Sequence, residues 1–264
     1  MPEGDTVFII ANRLDRALTG RPVTRFDLRV PALALADQVG TTVTAVLPVG
    51  KHLLIRFSDR RTLHSHLRMD GSWRVSQAHD HPRGGAEHAI RALIGNDTWL
   101  AAGFRVHDLA LVARSDEHQL IGHLGPDLLD PRFDLDEALR RFRRQADRPI
   151  GDALLDQRMV AGIGNVYRSE LLHIHSLNPW RPVGEVGALD DLLTDAVRLL
   201  RMNCTRFSRS TTGQRTPGQQ YFVYGRRGRP CRRCGTSIRQ DGKESGASER
   251  VLYYCPRCQH VEEP

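Results

Sequence analysis

The 264-residue sequence predicts an α+β protein with a leading helix, a β-rich first half, a helical middle and a short cysteine-rich tail. Three observations predict it. Apolar residues recur at helical spacing near the start and again beyond residue 134. Between these stretches, from about Val23 to Val112, short β-rich runs are separated by turn signals. Four of the five cysteines fall in the last 34 residues as two Cys-x-x-Cys pairs. With 40% hydrophobic and 26% charged residues, the composition is globular and excludes a disordered or fibrous chain. Lys and Arg number 38 against 31 Asp and Glu, a net charge of +7 that makes a polyanion the leading class of partner. No apolar run approaches the ~18–20 residues that span a bilayer. The opening MPEGDTVF lacks the basic-then-apolar pattern of a signal peptide, so a cytoplasmic protein with no membrane partner is expected.

The elements follow in order. Val7, Ile10, Ala11, Leu14 and Leu18 predict a helix over 6–18, with Asp5 or Thr6 as its N-cap. The runs VTRFDLRV, TVTAVLPV, KHLLIRF, TLHSHL, SWRV, AIRALI and TWLAAGF read as strands. Turn signals such as Ser58-Asp59, Asp70-Gly71 and Gly95-Asn96-Asp97 lie between them, a rhythm that predicts an antiparallel sandwich or barrel. The turn-rich LGPDLLDPRF then suggests a linker. Asp134 and Glu137 fit a capping box ahead of Leu135, Ala138, Leu139 and Phe142. A further helix is expected over 189–200, and two more flank the glycine turn Ala161–Asn165. The polar, Arg-rich stretch 206–230 reads as a mobile loop. The domains expected are a β-domain over 1–118, a linker over 119–133, a helical domain with its loop over 134–225 and a finger over 226–264.

The cysteines carry the strongest local signal. Cys231 with Cys234, and Cys255 with Cys258, form two tight turns separated by 20 residues, each aiming two sulfurs at one point. Under reducing conditions this spacing predicts one structural zinc ion in a closed thiolate cage, which holds the tail together and performs no chemistry. A redox pair is the alternative, and it leaves the second pair unexplained. Cys204 lies in a helical pattern and is expected to pack as a small apolar residue. Around the cysteines, Arg206, Arg209, Arg215, Arg226, Arg227, Arg229, Arg232, Arg233, Arg239, Arg250 and Arg257 alternate with Tyr221, Phe222 and Tyr224. Taken singly most are surface charges; as a cluster beside a zinc ribbon they suit phosphate oxygens. The turn GIGN at 162–165 offers backbone N–H groups and the Asn165 amide to a phosphate, although such turns also serve as plain helix-to-helix geometry. Removal of Met1 exposes Pro2 as a secondary amine. At a generic α-amino pKa, roughly 10–20% is unprotonated at pH 7, against about 0.04% of an ordinary lysine. Such an amine attacks an aldehyde carbon, and the adjacent Glu3 supplies an acid or base.

The segments MPEGDT, VGKHLLIRF, HLRMDGSW, LGPDLLDP, LLDQRMVAGIGNVYRSE, FVYGRRGRPCRRCG and VLYYCPRCQH fall in one order between residues 1 and 260. Together they resemble the formamidopyrimidine-DNA glycosylase and endonuclease VIII family of base-excision repair. The resemblance implies an N-terminal β-sandwich joined to a helix–two-turn–helix domain with a zinc ribbon. It implies a bifunctional DNA glycosylase and abasic-site lyase acting, as a monomer, on double-stranded DNA with damaged bases or abasic sites, associated with the nucleoid. Pro2 would be the nucleophile at C1′, Glu3 the proton donor, and Lys51 a phosphate contact assisting β-elimination. Asn165 and Arg250 would clamp the phosphate beside the lesion, Arg250 supporting δ-elimination. Base removal requires the nucleotide to be flipped out, and Arg68 with Met69 aligns with the segment that fills the hole.

Some positions depart from the family pattern. Arg68-Met69-Asp70 replaces the Gln-Leu-Tyr run of endonuclease VIII, Met69 is similar to the formamidopyrimidine branch, and Phe104-Arg105 is the candidate for that branch's accompanying pair. His123 stands where endonuclease VIII relatives carry arginine, and it is assigned with Tyr224 to DNA contact. MPEG and the LLDQ segment resemble endonuclease VIII, which favours oxidised pyrimidines as substrate. The 12 histidines read as surface or strand residues without a second metal set. Two other readings stand beside the enzyme: a non-catalytic damaged-DNA-binding zinc protein, and a zinc-ribbon transcription or RNA-binding factor. Neither requires Pro2, Glu3 and Lys51.

Overall fold

Helix α1 spans Gly4–Leu18, and its buried stripe of Val7, Ile10, Ala11, Leu14 and Leu18 is the one the apolar period predicts. It begins two residues earlier than expected, with Glu3 rather than Asp5 or Thr6 at the N-cap. The Asp5 carboxylate instead accepts from the Thr6 N–H at 2.7 Å inside the first turn, where a negative charge meets the positive helix end. At the other end, Asp15 Oδ1 accepts from Thr19 Oγ1 at 2.6 Å and from the Val46 N–H at 3.1 Å, tying the helix to the sheet it covers. The computed structural model describes residues 1–82, 84–206, 208–242 and 251–261. It divides into two units, Met1–His123 and Leu124–Pro264; the boundary falls inside the stretch read from sequence as a linker.

The first unit adds strands β1 (Arg25–Leu28), β2 (Val43–Val49), β3 (His52–Phe57), β4 (Arg61–His66), β5 (Ser72–Gln77), β6 (Ile90–Gly95), β7 (Trp99–Phe104) and β8 (Asp108–Ala113), then a short helix α2 (Glu117–Ile121). Two four-stranded antiparallel sheets result, ordered β1-β6-β7-β5 and β2-β3-β4-β8. Strand β8 is absent from the runs read as strands; it pairs with β4 through Leu109↔Ser65 and Leu111↔Leu63. Leu53, Ile55, Phe57 and Leu63 of one sheet share a core with Trp73, Ala92, Ile94 and Ala101 of the other and with α1, which makes the unit a sandwich. Phe26 meets Phe57 edge-on at 5.9 Å, and Trp73 Nε1 donates to Ser65 Oγ at 3.2 Å, joining the layers. The register Val49↔His52 leaves Gly50 and Lys51 as a two-residue hairpin turn. Gly50 takes φ +57° there, a region glycine enters without a steric penalty.

The second unit contains helices α3 (Leu135–Arg143), α4 (Ile150–Leu155), α5 (Asn165–Ile174) and α6 (Leu189–Asn203), followed by strands β9 (Arg239–Asp241) and β10 (Leu252–Tyr254) paired as a small hairpin. Half of the expected box forms: Asp134 Oδ1 accepts from the Glu137 N–H at 2.9 Å at the start of α3, while the Glu137 carboxylate turns forward to Arg140 and Arg141. Phe142, Leu154, Tyr167, Leu171, Leu193 and Leu200 build the helical core. Val223, Ile238, Val251 and Tyr253 make a smaller cluster under the cysteines. Cys204 corrects its expectation: it lies at the C-cap of α6, half-buried, because the last apolar position of the stripe is Leu200 and the helix ends on the polar Asn203. Residues 208–230 contain neither helix nor strand, yet the end of this stretch is tied down by α5, as described next.

Candidate active site and metal centre

In the first unit, Pro2 is half-buried and Glu3, the N-cap residue of α1, is fully buried. Lys51 lies in the β2–β3 turn, half-buried. Beside it lies a group that sequence reading missed. Strand alternation puts His64 and His66 on one face of β4, and the register His52↔His66 brings the neighbouring strand's histidine between them. His52 Nδ1 lies 2.7 Å from His64 Nε2, and the His52 ring is 4.9 Å from that of His66 and 6.1 Å from that of His123. Burial, then the neighbouring His66, pushes His52 down to about 3; burial and His66 push His64 down to about 4, with Asp108 pulling the other way. His52 and His64 are therefore neutral at physiological pH. Twelve scattered histidines in one sequence do not reveal which strands will pair, so only the i, i+2 spacing of His64 and His66 was a usable signal.

Arg68 and Met69 occupy the turn between β4 and β5. Arg68 adopts φ +52° and its guanidinium pairs with Asp108, while Met69 is 38% exposed. An open cavity beside them is lined by His52, His64, His66, Arg68 and Asp108. Arg105, also left-handed at φ +50°, pairs with Asp70 at 2.9 Å, so it joins this turn. Phe104 does not. It is fully buried with Ile90, Leu93 and Leu100, because the alternation of β7 turns it into the sheet's covered face. The structure thus gathers Lys51, His123 and Arg68 beside the histidines, with Met69 next to Arg68 in the turn, and removes Phe104 as a wedge.

In the second unit, Asn165 is the first residue of α5 and only 2% exposed. Its Oδ1 has no hydrogen-bond partner among the described residues. The turn before it is shaped by Gln157, whose Nε2 donates to Leu155 O at 2.8 Å and Ile163 O at 2.9 Å while its Oε1 accepts from the Gly162 N–H at 3.0 Å. Gly162 sits at φ +113°, open only to glycine. Asp156 holds the same loop by accepting from Arg158 and Arg148, each at 2.7 Å. The Arg158 and Arg148 bonds keep its carboxyl well below the usual carboxylate range, against the opposing effect of burial.

Further along α5, the fully buried Glu170 accepts from the Thr211 hydroxyl and from the backbone N–H groups of Phe222, Val223 and Tyr224, each at 2.8 Å. Burial pushes this carboxyl up, against the pull of four donors. Tyr224 packs edge-on against Tyr221 at 5.7 Å and Tyr253 at 5.1 Å. Three of the tail arginines are engaged inside the fold. Arg226 donates to Phe222 O and Pro230 O, Arg232 to Tyr221 O and Gly218 O, and Arg233 to His173 O and Ile174 O. Arg250 lies outside the described residues.

The sulfurs of Cys231, Cys234, Cys255 and Cys258 all lie within 4.8 Å of one another, with Cys231–Cys258 at 3.9 Å and Cys234–Cys255 at 3.5 Å. A tetrahedral zinc with Zn–S near 2.3 Å sets its sulfurs roughly 3.8 Å apart. Four thiols at that separation fit one structural zinc. Among the described residues, this is the one such group of three or more metal-binding side chains.

Comparison with known proteins agrees with this layout. Residues 1–103 match the formamidopyrimidine-DNA glycosylase N-terminal domain, 124–210 its H2TH domain, and 228–261 the zinc finger found in FPG and IleRS. The probable endonuclease 8 2 of Streptomyces coelicolor is 50% identical, covering 98% of this chain and 94% of the relative. The chain belongs to the formamidopyrimidine-DNA glycosylase and endonuclease 8 family. Within that family, the DNA-(apurinic or apyrimidinic site) lyase Nei2 of Mycolicibacterium smegmatis is 42% identical over 98% of this chain and 99% of its own length. Endonuclease 8 of Escherichia coli is 30% identical over 98% and 100%. A crystal structure of Lactococcus lactis formamidopyrimidine-DNA glycosylase bound to DNA with an abasic site superposes with a TM-score of 0.80 at 23% identity, covering 98% of this chain and 99% of that one. The fold of this chain is accordingly that of the glycosylase family.

Proposed function

We propose that the protein is a bifunctional DNA glycosylase and abasic-site lyase that removes oxidised bases, pyrimidines in preference, from double-stranded DNA. The observation that carries the reading is the opening of the chain: a secondary amine that becomes free when Met1 is removed, followed at once by a buried carboxylate at the amino end of α1. The Pro2 nitrogen attacks C1′ of the damaged nucleotide and the C1′–N bond to the base breaks, with Glu3 delivering a proton to the departing base or the sugar ring oxygen. The nitrogen loses its proton and the C1′–O4′ bond opens as O4′ takes one up, leaving an iminium that withdraws electrons from the opened sugar. Loss of a C2′ proton then expels the 3′-phosphate, and a second elimination releases the 5′-phosphate. Lys51 assists the first step and Arg250 the second, while Asn165, as an amide N–H donor to phosphate oxygens, holds the adjacent backbone together with Arg250. Arg68 and Met69 fill the gap left by the flipped nucleotide, and His123 and Tyr224 contact DNA. The zinc, when bound, supplies a structural cross-link and takes no part in these steps. A lysine nucleophile is the weaker candidate on charge alone, since an ordinary lysine is almost wholly protonated at neutral pH.

Borohydride trapping tests the reading. Met1-processed protein is mixed with a duplex carrying one abasic site, beside a control whose Pro2 nitrogen is blocked. A covalent adduct confined to the unblocked protein is expected. An adduct in both places the nucleophile elsewhere. Tight lesion binding with no adduct in either supports the non-catalytic damaged-DNA-binding protein instead.

A further inference from the structure

One side chain touches a zinc-ligand sulfur without being a ligand. His173, near the carboxyl end of α5, is fully buried, and its Nε2 lies 3.4 Å from Cys231 Sγ. Its Nδ1 is buried with no hydrogen-bond partner among the described residues. A metal-bound cysteine is a thiolate and only accepts hydrogen bonds. The proton of a neutral ring therefore belongs on Nε2. The opposite tautomer would bury an unpaired N–H at Nδ1 and turn a bare lone pair toward a negative sulfur.

The surroundings fix the ring in that pose. Phe222 stacks on it with ring centres 5.5 Å apart and planes 26° from parallel. Arg233, between the first two cysteines, donates to His173 O at 2.8 Å and Ile174 O at 3.0 Å, while its own backbone N–H lies 3.4 Å from Cys231 Sγ. The carboxyl end of α5 and the first cysteine turn thus grip each other twice, once through a side chain on the helix and once through a side chain on the turn. Four thiolates around one divalent cation carry a net negative charge, and hydrogen bonds donated to sulfur disperse it and strengthen the hold on the metal.

We propose that His173 is a positioning residue of the zinc centre. Its Nε2–H donates to the Cys231 thiolate, slows loss of the metal and locks the ribbon onto the helix that begins with Asn165. In the zinc-loaded wild-type protein, long-range proton–nitrogen correlation NMR is expected to show a neutral His173 ring protonated at Nε2; a ring protonated at Nδ1 overturns the proposal. Zinc release to a chromophoric chelator gives the second reading. His173→Phe keeps the stacking but removes the donor, and is expected to lose zinc about 10-fold faster. His173→Gln restores an N–H at the position of Nε2 and is expected to release zinc at close to the wild-type rate. Equal rates for wild type and a folded His173→Phe overturn the proposal, as does a failure of His173→Gln to rescue. The tautomer measurement decides the matter even where His173→Phe does not fold.

Discussion

Gln157 holds three backbone groups of the glycine turn with one amide, donating to Leu155 O and Ile163 O and accepting from the Gly162 N–H. Only an amide carries both kinds of group on one short side chain. Gln157→Glu keeps the size but faces a carboxylate toward two carbonyl oxygens. We expect a loss of about 2 kcal/mol of stability, read from urea unfolding, because the turn must open or the charge must be neutralised. Unchanged stability would mean that the turn is held by Asp156 and its two arginines alone. The LLDQ and GIGN segments are visible in the sequence as neighbours, and the hydrogen bonds that join them span six residues at most. Arg226, Arg232 and Arg233 teach the opposite lesson: sequence counts them with the charged surface, whereas each donates to carbonyls of the fold. A charge says nothing of whether a carbonyl will stand within reach.

At the scale of elements, α5 organises the second unit. Its first residue is Asn165, its middle presents Glu170 to the 222–224 segment, and its end presents His173 to the first cysteine turn. Glu170→Ala would leave three backbone N–H groups without an acceptor in a buried site and the Thr211 hydroxyl with only the Gln220 carbonyl at 3.3 Å, a loss of about 3 kcal/mol. Hydrogen exchange is the sensitive measurement. The amides of Phe222, Val223 and Tyr224 are expected to exchange faster in the variant, while those of β3 and β4 in the other unit keep their protection. Protection unchanged at 222–224 would show that the segment is held by the ribbon and not by the helix. The helices themselves were legible because each has a 3.6-residue apolar period, and α3 also because its cap is local in sequence. Strand β8 was harder to see. All its residues but the exposed Ala113 are half-buried, so the contrast between covered and open faces is weak.

For the molecule as a whole, pH is the informative variable. The folded protein holds His52 at about 3 and His64 at about 4, each below the ordinary histidine value of 6.5. The unfolded chain therefore binds protons that the folded one refuses. Stability is complete above the unfolded value and falls as pH drops from about 6.5 toward 4, before most carboxylates titrate. The depressed pKa of Asp156 acts lower, its contribution being present above the ordinary carboxylate range and lost as pH falls through and below it. We expect urea midpoints, followed through the buried Trp73, to decrease between about pH 7 and pH 4.5, and His64→Gln to flatten that slope. A flat wild-type profile would show that the pair shares a proton at no net penalty.

The order of elements and the sulfur-aiming turns of the thiolate cage are properties of the sequence alone, because each rests on contacts or periods within a few residues. Helical and strand spacing mark which face is covered, and two Cys-x-x-Cys turns aim their sulfurs without help from the rest of the chain. The tertiary structure alone decided that four histidines converge beside Lys51, that Phe104 points inward, and that Glu170 and His173 reach the segment from Phe222 to Arg233. These depend on strand register and on helix-to-loop packing between residues about 10 to 70 positions apart. Many pairings satisfy the same local pattern, and only burial of the whole core selects one.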